Sequence, residues 1–317
     1  MGDMKKSKNT IDMTHGTLWN KILLFALPLA ASSILQQLFN SVDTAVVGRF
    51  ASSRALAAVG STSSFISLMI NLFIGISLGS NVVIAHYIGQ KVEKNIQAAI
   101  HTAITVALIG GCFVMILGQF IGRPVLILMG TPEDVIDLAV QYLRIYFLGM
   151  PFILLYDFGS SILRSTGDSR RPLYSLIVAG VLNTVLNLIL VIVFQMGVAG
   201  VAIATVVSNI VSSGIVMWIL MYEPEPVRFT PRKLMINGKE LWKILSIGVP
   251  AGLQGMVFSL ANVCIQSTIN SFGSDAVAGS AAALNYEFFA YFIVNAFAQT
   301  TVTFTSQNYG AGVRPVP

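Results

Sequence analysis

Long apolar runs follow one another along the chain, and each is long enough to cross a bilayer. A hydrocarbon core of about 30 Å needs roughly 20 residues of helix. The uncharged stretch 172–222 is too long for one crossing, and Gln195, Gly197 and Gly200 divide it into two. The pattern therefore predicts an all-α, polytopic membrane protein. Its eight predicted spans are 19–46, 56–86, 96–120, 133–163, 173–194, 198–222, 241–271 and 276–307.

Composition and charge agree with a membrane protein. Hydrophobic residues make up 55% of the 317 and charged residues only 10%, whereas a soluble domain carries about 25% charged residues. Of the nineteen Lys and Arg residues, fifteen share one face if the N-terminus is cytoplasmic, and three lie on the other. This bias predicts a protein of the cytoplasmic membrane with its N-terminus inside. It also accounts for the net charge of +5 without a nucleic-acid partner.

Other chemical signals argue against an enzyme. Cys112 and Cys264 both fall inside predicted spans, and the three histidines are scattered, so no disulfide framework or metal site is predicted. The chain has no Gly-rich loop that ends in Lys and Ser or Thr, which would bind a nucleotide. We therefore expect no enzyme and no bound cofactor, and for a transporter the missing nucleotide site favours ions over ATP as the driving force.

An internal repeat organises the chain. The motif "LWNKILLFALP" at 18–28 returns as "LWKILSIGVP" at 241–250, and "AHYIGQK" at 85–91 returns as "SQNYGAG" at 306–312. Six predicted helices lie between the two copies, and an even number returns the chain to the same face, so the copies run parallel.

The repeat predicts the domain organisation. Because the second copy stops after its second helix, we expect a complete protein to have about four more helices and this chain to be a truncated form. The predicted units are a six-helix N-terminal lobe at 1–222, a cytoplasmic linker at 223–240 and the first two helices of a C-terminal lobe at 241–317.

Polar side chains recur at helical spacing in three of the spans and predict a polar face on each. The stripe in the first span ends in a carboxylate, Asp43. An acid near the middle of a membrane helix costs about 2.5 to 3.5 kcal/mol on insertion scales, which favours a function for it. The stripes that carry only amides and hydroxyls are explained equally well by hydrogen bonds between helices. Candidates to line a substrate cavity are Gln36, Asn40, Asn262, Gln266, Glu287, Asn295 and Gln299.

Several motifs together resemble the multidrug and toxic compound extrusion (MATE) family over nearly the whole chain. They are "NSVDTAVVGR", "ILRSTGDSRRP", "LNTVLNL", "GVAGVAIATVVSN" and "SQNYGAG", in this order. The resemblance implies an exporter of two six-helix lobes that exchanges Na⁺ or H⁺ for bulky, often cationic, organic compounds.

The resemblance also implies a cation site in the N-terminal lobe. The site of the family maps here onto Asp43, Asn183, Asn187 and Thr205, with a backbone carbonyl near Val201. Oxygen ligands suit a hard cation. Some relatives have a second carboxylate where this chain has Asn187, so the single negative charge here suits Na⁺ or a proton.

Two other functions fit the sequence. Related superfamilies with the two-lobe plan flip lipid-linked precursors, although the mostly acidic charges within the predicted spans favour a cationic cargo. The chain could also be a non-transporting fragment or a membrane partner subunit. The expected partners are the lipid bilayer and a small organic substrate, and the oligomeric state is left open.

Overall fold

Long helices form the fold throughout residues 10–270 and 274–312, which the computed structural model describes. No strand occurs within these two ranges. The all-α prediction is therefore confirmed. The helices are α1 (Leu18–Phe50), α2 (Ser53–Gln90), α3 (Glu93–Leu128), α4 (Glu133–Leu148), α5 (Met150–Ser165), α6 (Arg170–Leu188), α7 (Gly197–Met221), α8 (Gly238–Asn270) and α9 (Ser274–Gly310).

The predicted span at 133–163 is two helices rather than one. The chain bends by 48° between α4 and α5, at Gly149 and next to Pro151 in the first turn of α5. Proline has no N–H to continue the ladder of α4, and its ring clashes with the carbonyl four residues earlier. Among the described residues, six other helices are long and apolar enough to cross a membrane, and the bent pair makes a seventh if it counts as one span. The predicted eighth span is α9, which is 37 residues long.

The predicted division between the fifth and sixth spans is confirmed at Gln195 and Gly197. A five-residue π-helical turn, Ile189–Val193, follows α6. The backbone then reverses through Gln195 and Gly197, which have φ angles of 52° and 54°. Gly200 has no part in the break because it lies inside α7.

Two apolar cores fill the bundle formed by α1 to α7. We call the face where α1 begins and α2 ends the proximal face, and the opposite face the distal face. The distal core includes Leu143, Phe147 and Val201, and the proximal core includes Ile100 and Phe158. The packing of the bundle places α1, α6 and α7 side by side near the distal face.

The helices of the second repeat copy pack against this bundle along a polar seam. We use "the seam" for the contacts of α1 and α2 with α8 and α9. In it, Asn71 Nδ2 donates to Ser259 Oγ at 2.9 Å, and Thr303 Oγ1 donates to Asn81 Oδ1 at 3.0 Å. Many large apolar side chains in the distal parts of α8 and α9 are exposed, such as Phe258. The contacts named here lie in the middle and proximal parts of the seam.

A reciprocal close contact crosses the seam near the proximal face. A Cβ on Gly89 would lie 2.0 Å from the carbonyl oxygen of Gln307, and a Cβ on Gly310 would lie 2.0 Å from that of His86. The two glycines, and likewise His86 and Gln307, occupy matching positions of the two repeat copies. Such exchange of equivalent partners is what a two-fold axis between the copies would produce. The lobe boundaries themselves stay a prediction.

Candidate cation site

The position of Asp43 is set by how α1 packs on α6. Both helices begin at the proximal face, and Phe39 of α1 lies against Gly180 of α6, where a Cβ would be only 1.8 Å from the ring atom Cε2. One turn further toward the distal face, Asp43 is half-buried. The absent side chain at position 180 therefore lets α1 approach α6 and places Asp43 beside Asn187.

Five residues implied by the resemblance lie together in one hydrogen-bonded chain. Asn187 Nδ2 donates to Asp43 Oδ1 and to Asn183 Oδ1, the latter at 3.1 Å. Asn183 Nδ2 lies 3.5 Å from Thr205 Oγ1, which donates to the carbonyl oxygen of Val201 at 2.9 Å. We call Asp43, Asn183, Asn187, Val201 and Thr205 the Asp43 network. Its role in binding a cation stays a prediction.

The buried oxygen atoms of the network fit a hard cation. Asn187 is 0% exposed and Asn183 is 6% exposed. The Oδ1 atom of Asn187 is buried and has no hydrogen-bond donor within the described chain. A buried acceptor without a partner costs about 1 to 3 kcal/mol, and a cation held between this atom and the Asp43 carboxylate would remove that cost. Carboxylate, amide and carbonyl oxygens are the ligands that hard cations prefer.

A π-helical turn lies directly beside the network and was not predicted. It begins two residues after Asn187, and its closing bond runs from Phe194 N to Ile189 O at 3.1 Å. Such turns are rare, and many occur at functional sites. Its sequence is the plain apolar run ILVIV, which contains no signal for a change of helical type.

Three further residues near the network were missed from the sequence. Asn209 Nδ2 donates to the carbonyl oxygen of Thr205 at 2.8 Å, and its four-residue spacing from Thr205 could have identified it. Tyr142 and Tyr146 of α4 lie within electrostatic range of Asp43, and their rings are 5.9 Å apart. Only the tertiary packing of the bundle brings them there, so no local pattern could have found them.

The predicted cavity residues lie in varied surroundings, and their role in lining a cavity stays a prediction. Four are exposed, namely Gln36, Asn40, Asn262 and Glu287. Asn295 and Gln299 are half-buried, and Gln299 Oε1 accepts from Arg164 Nη1 at 3.4 Å. The side chain of Gln266 lies outside the part of the chain that the structure describes.

Two cavities among the described residues lie elsewhere. One has a volume of about 490 Å³ and is lined by residues around Ser52 and Gly197 at the distal face. The other has a volume of about 330 Å³ and is lined by residues around Leu24 and Arg170 near the proximal face. No predicted cavity residue lines either of them.

Comparison with known proteins identifies similar transporters. The MatE family model matches residues 28–189, a range that contains Asp43, Asn183 and Asn187 but ends before α7. The chain is 36% identical to the probable multidrug resistance protein YoeA of Bacillus subtilis, over 86% of this chain and 59% of that protein. It is 30% identical to the probable multidrug resistance protein YpnP of the same organism, over 95% of this chain and 67% of that protein. The chain thus spans about six tenths of the length of YoeA.

A solved structure shares the arrangement of the helices. The outward-facing conformation of a multidrug resistance MATE family transporter of the MOP superfamily superposes with a TM-score of 0.90 at 25% identity. The match covers 98% of this chain and 68% of the other. The described helices therefore follow the fold of that transporter along almost their entire length.

Proposed function

Because the chain belongs to the MatE family of multidrug and toxic compound extrusion transporters, we propose that it exports small organic compounds across a membrane in exchange for a cation. The cation binds at the Asp43 network. The observation that carries this proposal is made at buried Asn187. Its Nδ2 donates to the Asp43 carboxylate, while its buried Oδ1 has no donor in the described chain.

The charge of the network supports a monovalent ion. Asp43 is the network's sole carboxylate, so Na⁺ or a proton neutralises it, whereas a divalent ion would leave a net positive charge in an apolar bundle. Burying an uncompensated charge is costly. The network is therefore stable with the ion bound and costly without it.

This difference in stability supplies the coupling. With the ion bound, α1 packs on α6 and α7 without a bare buried carboxylate. When the ion leaves, the carboxylate must be hydrated, which favours an arrangement that opens this side of α1 to water. Binding of the ion thus biases the equilibrium between two helix arrangements, and release of cargo follows the same bias.

The cargo and the orientation follow from charge. Charged residues predicted within the spans are mostly acidic, which favours cationic organic compounds over phosphate-bearing lipids. The two Bacillus subtilis relatives are named as probable multidrug resistance proteins, which supports export of several such compounds. The bias of Lys and Arg toward the proximal face supports a cytoplasmic proximal face.

Efflux of a fluorescent organic cation from vesicles that contain the reconstituted protein tests this function. Separate Na⁺ and pH gradients identify the coupling ion. We expect one of the gradients to drive efflux and Asp43→Asn to abolish it. Asp137→Asn is the matched control, because Asp137 pairs with Arg123 and its side chain is 81% exposed. Loss of efflux in the control as well, or full efflux in Asp43→Asn, would contradict the proposal.

A further inference from the structure

The segment before α1 folds back into the proximal end of the seam. We call residues 10–16 the N-terminal plug. Its Met13 is 0% exposed although the plug forms no helix. Met13 belongs to an apolar cluster with residues of two helices, namely Phe25, Leu29 and Ala30 of α1 and Ala296 and Phe304 of α9. The plug therefore completes a small core between helices of the two repeat copies.

Hydrogen bonds fix the plug to both sides of the seam. On one side, Ile11 N donates to the carbonyl oxygen of Gly167, in the turn between α5 and α6, at 3.1 Å. On the other side, Asn308 Nδ2 of α9 donates to the carbonyl oxygen of Met13 at 3.0 Å. A segment that only anchored the start of α1 would have no need of the second bond.

A further contact ties the plug to α1 itself. Lys21 Nζ donates to the carbonyl oxygen of Asp12 at 2.7 Å and also contacts the carbonyl oxygen of His15. The plug is thus bonded to the α1 to α7 bundle through Ile11 and Lys21, and to α9 through Asn308. When the two sides of the seam separate, the plug is expected to stay with α1 and to leave α9.

We propose that the N-terminal plug is a gate that seals the proximal end of the seam. It holds α1 and α9 together while the distal side is open, and the cluster around Met13 must break each time the proximal side opens. The plug therefore sets how often the proximal face opens. This inference rests on the proposed function, because export requires access from both faces.

Labelling of a single cysteine tests the gate. Cys112 and Cys264, both exposed, are replaced by Ala, and Ala296→Cys places a thiol in the cluster at a position that is 2% exposed. A membrane-impermeant maleimide is added to the proximal face of the reconstituted protein, and its reaction rate is measured. In the wild-type background we expect slow labelling, since the plug covers this position.

Variants of the plug should change this rate in a graded manner. Met13→Ala should raise the rate by about tenfold or more, because it removes a fully buried side chain from the cluster. Asn308→Ala, which removes the bond to Met13 across the seam and one bond within α9, should raise it by a few fold. Trp19→Ala is the matched control near the plug, since Trp19 is 71% exposed, and it should leave the rate unchanged.

Further outcomes separate a gate from a general loss of structure. Met13→Leu keeps an apolar side chain of similar size and should label as slowly as the wild type. Equal rates in the wild type, Met13→Ala and Asn308→Ala would overturn the gate, as would an equal rise in Trp19→Ala. The assay needs neither cargo nor coupling ion. A failed Asp43→Asn efflux test would therefore contradict the proposed function without changing the labelling result.

Discussion

The polar stripe of α1 and the polar stripes of α8 and α9 share one spacing but not one environment. Asp43 of α1 meets side chains of α6 and, through them, of α7 in a continuous hydrogen-bonded chain. Asn262 of α8 and Glu287 of α9 are exposed. Spacing thus identifies which face of a helix is polar. Whether that face becomes a site depends on the helices packed against it.

The stripe of α9 itself divides into two parts. Toward the proximal face, Thr303 donates to Asn81, and Gln307 Nε2 donates to the carbonyl oxygen of Ser165 at 2.5 Å. Toward the distal face, Asn295 has no hydrogen bond within the described residues. The proximal half of this stripe therefore joins helices, as the alternative to cavity lining predicted.

The largest expected difference between the two regions is in coupling. Asp43→Asn should lower ion-driven efflux by at least about tenfold, because the loss of one buried ionic partner exceeds 1.4 kcal/mol. Glu287→Gln, the same change of acid to amide on α9, should keep most of the efflux. Efflux under each gradient is the measurement, and protein yield checks folding. An equal loss in both variants would remove the distinction between the two stripes.

A second carboxylate in the network should change the ion it prefers. Asn187→Asp places another acid beside Asp43, so the site gains negative charge and should favour a divalent ion or a proton over Na⁺. We expect efflux to continue with an altered ion dependence, and efflux in mixed gradients measures it. Asn262→Asp on α8 is the matched control. An ion dependence that Asn187→Asp leaves unchanged would argue that position 187 is not a ligand.

Packing between α1 and α6 should influence the site without touching the ion. Gly180→Ala places a methyl group where the Phe39 ring now lies, so α1 must move away from α6 and ion affinity should fall by several fold. Adding Phe39→Leu should restore part of the affinity, because the smaller side chain makes room. Titration of ion binding in the single and double variants tests this. If the Gly180→Ala variant binds the ion with normal affinity, the close packing of α1 on α6 does not determine the geometry of the site.

The smallest expected effects are on the free energy of unfolding, which should depend on a buried amide side chain more than on an exposed one. Asn183→Ala leaves the Asn187 amide without one of its partners and should lower the free energy of unfolding by about 1 to 3 kcal/mol. Asn262→Ala removes an exposed amide and should change it by less than about 0.5 kcal/mol. Thermal unfolding in detergent compares the two variants. A loss of stability as large in Asn262→Ala would indicate a partner for that residue.

Much of the fold could be predicted because long apolar runs permit little else than membrane helices. The break before Gly197 was predicted from its residues, and the bend at Pro151 was missed although proline and glycine mark it. The π-helical turn at Ile189–Val193 could not be predicted, since nothing distinguishes its apolar run from ordinary helix. Whether such an apolar run forms an α-helix or a π-helical turn depends on the helices that pack against it.

The candidate site was only partly accessible from local sequence. The one-turn spacing of Asn183 and Asn187 places both on one face of α6, but their contact with Asp43 joins residues 144 positions apart. Only the resemblance linked them before the structure. Six of the seven cavity residues were chosen from polar spacing and Glu287 as an acid within a span, and their role in lining a cavity stays a prediction. The spacing of polar residues along one helix does not show which other helices will pack around those residues.

Direct binding of radioactive sodium to the purified protein across a range of pH tests the central claim that a cation binds at Asp43. If the network takes Na⁺, the wild type should bind sodium saturably, and binding should weaken as the pH falls, because protons compete for the same carboxylate. If it takes a proton instead, the wild type should show a pH-dependent proton uptake that Asp43→Asn removes. Asp43→Asn should show no saturable binding, while Asp137→Asn should match the wild type. Sodium binding by Asp43→Asn with undiminished affinity and unchanged pH dependence would contradict the account.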